Sequence, residues 1–166
     1  MAKLPRDRTE RVRGPIRIGV LNGPNLNLLG RREPHHYGTH TLAEIESLLR
    51  ERAGLDDVSL VFFQSNDEGE IVDWLQANTD SVQAWLVNAA ALTHTSVALR
   101  DALAGSGRPF VEVHLSNVFA RESFRHTSVL SDLAIGVIAG FRASSYLFGL
   151  EALVRHLRGS GEAGTE

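Results

Sequence analysis

Cysteine is absent from this chain. Thiol nucleophiles, disulfides and thiolate metal sites are thereby excluded. The only lysine is Lys3, inside a stretch of charged and small residues at the start of the chain. A buried amine that forms a Schiff base is therefore not expected. No apolar run is long enough to cross a bilayer, and the first residues lack the apolar segment of a secretory signal. The formal net charge of -3 argues against a dedicated nucleic-acid binder. The expected compartment is the cytoplasm. Any chemistry must be assembled from Tyr, His, Arg, Asn, Ser and carboxylates.

What is present describes one globular domain. The 166 residues are 43% hydrophobic and 22% charged, enough for a core that needs no metal or disulfide. Residues 1–14 carry Arg6, Arg8, Arg11 and Arg13 among few apolar groups, and residues 159–166 are rich in Gly, Ser and Glu. Both read as disordered tails around a domain spanning 15–158. Between them, β-branched apolar runs alternate with helical patterns. The runs are Ile16–Leu21, Val58–Phe63, Val82–Val87, Phe110–His114 and Ile135–Ala139. Helices are expected from a Thr41–Glu44 capping box to Ala53, then at Glu68–Ala77, Ser96–Ala104 and Ser144–Leu157. This alternation predicts an α/β fold, a doubly wound, flavodoxin-like sheet of five parallel strands in a single domain. Ligands of such sheets bind beyond the C-terminal strand ends.

Three polar clusters fall at that edge. The first strand runs into a long loop, Asn22 to Tyr37, holding Asn25, Arg31, Arg32 and the tyrosine. Loops this long inside a compact domain are usually functional or disordered. Positive charge beside a phenol favours the phenolate, so the loop reads as an active-site lid presenting an unusual base. Each pKa unit by which a phenol is made more acidic needs about 1.4 kcal/mol of extra stabilisation of the anion. The third strand delivers Asn88, then Thr93, His94, Thr95 and Ser96, one of which caps the next helix. Asp101 lies further along that helix, to face solvent, pair nearby or reach another subunit. The fourth strand ends in Glu112-Val-His114, whose alternation puts carboxylate and imidazole on one face. Glu112 can hold one ring nitrogen and leave the other for substrate. The backbone amides of Leu115 and Ser116 are placed to grip an anion. Arg121 and Arg125 follow at helical spacing, as a second lid, an anion clamp or plain surface charges. His94, His114 and Glu112 are metal-ligand types, but no metal-binding spacing accompanies them, and no metal is expected.

Together these residues resemble type II 3-dehydroquinate dehydratase of the shikimate pathway. The matching motifs are Asn22-Gly-Pro-Asn-Leu-Asn-Leu-Leu-Gly-Arg-Arg-Glu-Pro34 with Tyr37, Gln64-Ser-Asn66 with Glu68-Gly-Glu70, Leu92-Thr-His-Thr-Ser-Val-Ala-Leu-Arg-Asp101, and Glu112-Val-His-Leu-Ser-Asn-Val118 with Arg121, Glu122 and Arg125. The likeness runs from about Arg17 to Leu157. It implies a lyase that dehydrates 3-dehydroquinate to 3-dehydroshikimate through an enolate, without cofactor, metal or Schiff base. Tyr37 would be the base, activated by Arg32 with help from Arg121. Asn25 would hold a water or itself act where charge grows on oxygen, and His114, oriented by Glu112, would be the general acid. Leu115 and Ser116 would take the carboxylate, and Asn88, His94 and Arg125 would read the carboxylate and ring hydroxyls. The resemblance also implies a homo-oligomer, a dodecamer of trimers, with Asp101 reaching into a neighbouring subunit. Two departures stand out: Ala89-Ala-Ala91 and Arg142 occupy positions where relatives often carry glycine or, in the first case, proline. Rival readings are another lyase or hydrolase of the same fold acting on a polyhydroxy acid, and a flavin or phosphate carrier. A carrier would need a phosphate loop after the first strand, where Asn22-Gly-Pro-Asn25 stands instead.

Overall fold

The computed structural model describes residues 14–31 and 33–159. The expected tails therefore lie outside the described residues, apart from Gly14 and Gly159. Five strands form one parallel sheet: β1 (Ile16–Asn22), β2 (Val58–Gln64), β3 (Ala84–Asn88), β4 (Phe110–His114) and β5 (Gly136–Ala139). Their order is β2-β1-β3-β4-β5, a five-stranded, all-parallel, doubly wound sheet of the expected flavodoxin-like kind. The chain moves outward from β1 in both directions, so the sheet opens between the ends of β1 and β3.

Among the described residues, five helices accompany the sheet. They are α1 (Pro34–Tyr37), α2 (Leu42–Gly54), α3 (Glu68–Asn78), α4 (Val97–Ser106) and α5 (Ala143–Arg158). The capping box of α2 forms in both directions, with Glu44 N–H donating to Thr41 Oγ1 at 3.2 Å and Thr41 N–H donating to Glu44 Oε2 at 2.7 Å. Of the three hydroxyls available to cap α4, Ser96 does so, accepting from Leu99 N–H at 2.9 Å.

Alternation along the strands builds two cores. Ile16, Ile18 and Val20 of β1, Ala84 and Leu86 of β3, and Val111 and Val113 of β4 pack toward Ile45 and Leu49 of α2 and Tyr146, Leu150 and Leu153 of α5. On the opposite face, Leu21, Trp85, Val87 and Phe110 meet Ile71 and Leu75 of α3 and Leu99 and Leu103 of α4. Each fully buried aliphatic side chain contributes about 1.5–3 kcal/mol.

The first loop is more ordered than the length of its polar run suggests. Leu26 and Leu29 are buried in the α2–α5 core, the first opening and the second following a short 3-10 turn at Leu26–Leu28. Pro34 opens α1, where a missing N–H costs no helical bond. The loop is thus pinned by two leucines and ends in a helical turn that carries Tyr37.

Two of the atypical residues sit in left-handed backbone. Ala90 has φ 51°, and Arg142, at the entrance of α5, has φ 54° and ψ -135°. A side chain in this region costs about 1–3 kcal/mol. Glycine relieves that strain but forfeits about 0.4–1 kcal/mol through the freer unfolded chain. Arg142→Gly is therefore expected to raise stability by about 1 kcal/mol in urea denaturation. A midpoint at or below that of the parent chain would show that packing of the arginine stem outweighs the strain.

Candidate functional site

Polar residues occupy the last positions of β1, β3 and β4. Asn22 and Asn88 stand opposite each other in the β1–β3 register and share the face that carries Val20 and Leu86. From α5, the Tyr146 hydroxyl donates to Asn22 Oδ1 at 2.6 Å and accepts from Asn88 Nδ2 at 2.9 Å. Asn88 Oδ1 accepts from Ala90 N–H at 3.2 Å, which orients the amide completely. Burial raises the Tyr146 phenol well above its ordinary pKa, and the Asn88 donor only partly offsets this. Tyr146 therefore stays neutral and keeps the proton it donates. Between the strand ends, Gly23 N–H donates to Asn88 O at 2.8 Å. A Cβ on Gly23 would lie 2.2 Å from Ala89 O, so only glycine allows the two backbones to approach this closely.

Glu112 and His114 project from β4 on the face of Phe110. Both are buried, and His114 Nε2 lies 2.6 Å from Glu112 Oε1. The second carboxylate oxygen accepts from Ser128 Oγ at 2.8 Å. Both oxygens of this buried acid are thus satisfied. His94 stacks near His114, ring centroids 6.5 Å apart, and its Nδ1 donates to Thr127 O at 2.7 Å. A carbonyl only accepts, so Nδ1 carries the proton and Nε2 is left as the other functional nitrogen.

The third component joins the first loop to the segment after β4. Arg121 Nη1 donates to the Tyr37 hydroxyl oxygen at 2.7 Å and lies 3.4 Å from Ser116 Oγ. The Arg121 side chain is only 7% exposed, which strengthens its field on the phenol oxygen. Its Nε is buried without a hydrogen-bond partner, and the Glu122 carboxylate stands 3.7 Å away. Glu122 also accepts from Arg125 Nε at 2.8 Å. Asn25 is held in left-handed backbone, φ 68°, by its N–H, which donates to Asn66 Oδ1 at 2.8 Å. Gln64 Nε2 donates to Gly23 O and to Asn66 Oδ1, each at 3.2 Å.

One cavity is lined by Asn25, Tyr37, Asn88, His94, His114, Leu115, Ser116, Arg121 and Arg125. Glu112 stands behind His114 and does not line it. Asp101 is exposed on α4 and also lies outside this lining. Arg32 lies outside the described residues. Among those described, the guanidinium on the phenol comes from Arg121. Arg121 and Arg125 lie on the loop after β4, Arg121 directly after a 3-10 turn at Val118–Ala120 and Arg125 at the end of a second at Ser123–Arg125. Ala90 and Ala91 line the same cavity, so their methyl groups do border it.

Several supporting residues had no assigned role at the level of sequence. Gln64 and Asn66 belong to a recognised motif, but their hold on the first loop needs the β1–β2 register. Tyr146 and Ser128 carry no motif of their own, and their partners are distant in sequence. Among the described residues, no three His, Asp or Glu side chains come together as a metal-ligand group, and no helix is long and apolar enough to cross a membrane.

Tyr146→Phe leaves Asn22 Oδ1 and Asn88 Nδ2 buried without their common partner. Chemical denaturation is expected to show a loss of about 1–3 kcal/mol. Unchanged stability would mean that water replaces the hydroxyl.

A family model described as dehydroquinase class II matches residues 16–154. A 3-dehydroquinate dehydratase from Azorhizobium caulinodans is 62% identical over 82% of this chain and 92% of that protein. One from Synechococcus is 57% identical over 87% of this chain and 98% of its own. Crystal structures of type II dehydroquinases from Butyrivibrio crossotus and Propionibacterium acnes superpose with TM-scores of 0.81 and 0.80, each at 38% identity. They cover 84% and 86% of this chain and 97% and 99% of theirs.

Proposed function

Because the chain belongs to the class II dehydroquinase family, we propose that its cavity converts 3-dehydroquinate to 3-dehydroshikimate through an enolate, with Tyr37 as base and His114 as acid. The observation that carries this reading is the Tyr37–Arg121 hydrogen bond of 2.7 Å, in the same cavity as the His114–Glu112 pair.

The steps follow from the groups. Tyr37, as phenolate, removes a proton from the carbon next to the ketone, and the C–H electrons move onto the carbonyl oxygen. Arg121 donates to the phenol oxygen and so stabilises the charge that the base carries before transfer. Arg32 is the second cation in this reading. Asn25 holds a water, or donates itself, where the enolate charge collects. The enolate then reforms its ketone and expels the hydroxyl from the neighbouring carbon. His114, held by Glu112, protonates that hydroxyl, which leaves as water. Leu115 and Ser116 take the substrate carboxylate, and Asn88, His94 and Arg125 read the carboxylate and ring hydroxyls. No cofactor, metal or imine takes part.

A homo-oligomer completes the reading, with trimers packed into a dodecamer and Asp101 reaching a neighbouring subunit's site. Apolar side chains are exposed along and after the edge strand β5, with Val137 46%, Phe141 59% and Phe148 46% accessible. Such an edge and patch call for a partner. Light scattering is expected to give twelve times the chain mass; a monomer would refute the assembly and leave the chemistry to be judged separately. The proposed location is the cytoplasm.

The deciding experiment is turnover of 3-dehydroquinate, followed by the ultraviolet absorbance of the conjugated enone with a chelator present. Folded protein that gives no enone would rule the function out. Tyr37→Phe is expected to lower kcat by about 10²–10⁴-fold with much less effect on KM. A variant with near-parental kcat would remove Tyr37 from the role of base. Borohydride added with substrate is expected to leave no covalent adduct in the mass spectrum, and an adduct would mean that an amine takes part.

A further inference from the structure

We propose that Ser128 is a positioning residue that sets which nitrogen of His114 serves the cavity. The inference rests on the reading of His114 as the general acid and adds the group that directs it.

A serine hydroxyl has one proton and two lone pairs. At Ser128 both accepting directions are occupied, by Leu130 N–H at 3.0 Å and Ser131 N–H at 3.1 Å. Backbone amides only donate, so the hydroxyl proton must go elsewhere. The remaining partner is Glu112 Oε2 at 2.8 Å. Ser128 is therefore a donor to Glu112 and not an acceptor from it.

That polarity passes along the chain of bonds. Glu112 Oε2 accepts, and Oε1 faces His114 Nε2 at 2.6 Å. Glu112 is 1% exposed, and a donor on Oε2 stabilises its charged form where water does not reach. A carboxylate at Oε1 accepts in turn, so Nε2 carries a proton. Nδ1 is then the nitrogen that gains and gives the catalytic proton. Two backbone amides, one hydroxyl and one carboxylate thus set the tautomer of the imidazole. Ser128 touches neither substrate nor reacting atoms in this scheme, and its effect is transmitted through Glu112.

The test begins with the parent enzyme, labelled with ¹⁵N in histidine and observed by magic-angle-spinning NMR, with His114→Asn to assign the resonance. The resting neutral ring is expected to show a protonated Nε2 and an unprotonated Nδ1. A proton on Nδ1 would overturn the proposal, whatever the variants do. Ser128→Ala is expected to lower kcat by about tenfold with KM within twofold, and to mix or invert the tautomer signal. Ser128→Thr, which keeps the hydroxyl, is expected to recover most of the rate and the parental ring spectrum. A folded Ser128→Ala with parental kcat and ring spectrum would also overturn it. If Ser128→Ala does not fold, the parental spectrum and Ser128→Thr decide. If the dehydratase reading fails, no form turns over, yet the ring spectrum still reports the tautomer.

Discussion

Where two parallel strands part, the backbone and side chains at the opening lose the ladder that satisfied them. In this molecule that opening lies between β1 and β3, and the groups left there are Asn22 and Asn88. Water does not reach Asn22, and an unpaired buried amide costs about 1–3 kcal/mol. The Tyr146 hydroxyl bridges the two side chains, and Ala90 N–H fixes the second. The constraint is structural in origin, since it arises from reversing strand order. Its consequence is a crevice floor whose amides point in set directions before any ligand enters. That matters because orientation prepared in advance need not be created during reaction.

The same logic extends to the rest of the site. His94 is oriented by Thr127 O, Asn25 by the Asn66 side chain, and Asn66 in turn accepts from Gln64, which is anchored to Gly23 O. Glu112 is oriented by Ser128, itself pinned by two amides. Each of these chains of hydrogen bonds ends on a backbone group. A side chain tied at both ends loses little more entropy when it binds substrate. Directed polarity also excludes alternative proton placements, which distance alone does not do.

Much of this was legible in the sequence, because period-two alternation is a strong physical signal. It placed Glu112 and His114 on one face and marked the ends of β1, β3 and β4 as a common rim. What the sequence could not show was long-range pairing. Tyr146 is separated from Asn22 by 124 positions, so its apolar spacing on α5 concealed a polar role. Arg31 and Arg32 stand closest to Tyr37 in sequence and drew attention first. Yet it is Arg121, 84 positions away, that meets the phenol among the described residues. Backbone strain was equally hidden, since the left-handed φ of Ala90 and Arg142 follows from how β3 and β5 must turn. The local order of the first loop was hidden for a different reason. Its polar residues suggested length without structure, while Leu26 and Leu29, three apart, already marked a buried turn.

One contact departs from the pattern of anchored groups. Tyr37 rides on a helical turn of four residues, and among the described residues its hydroxyl bonds to the guanidinium of Arg121. Arg121 in turn leans on Ser116 at 3.4 Å and on a partly exposed Glu122, with its Nε unpaired. Glu112, by contrast, has both oxygens satisfied and sits on a central strand. The cavity is therefore anchored more firmly at the Glu112–His114 pair than at Tyr37. A single charge-assisted hydrogen bond is worth roughly 1.5–3 kcal/mol, a small barrier to separation compared with the loss of a strand. The leucines at 26 and 29 hold the root of the loop in the core independently of that bond.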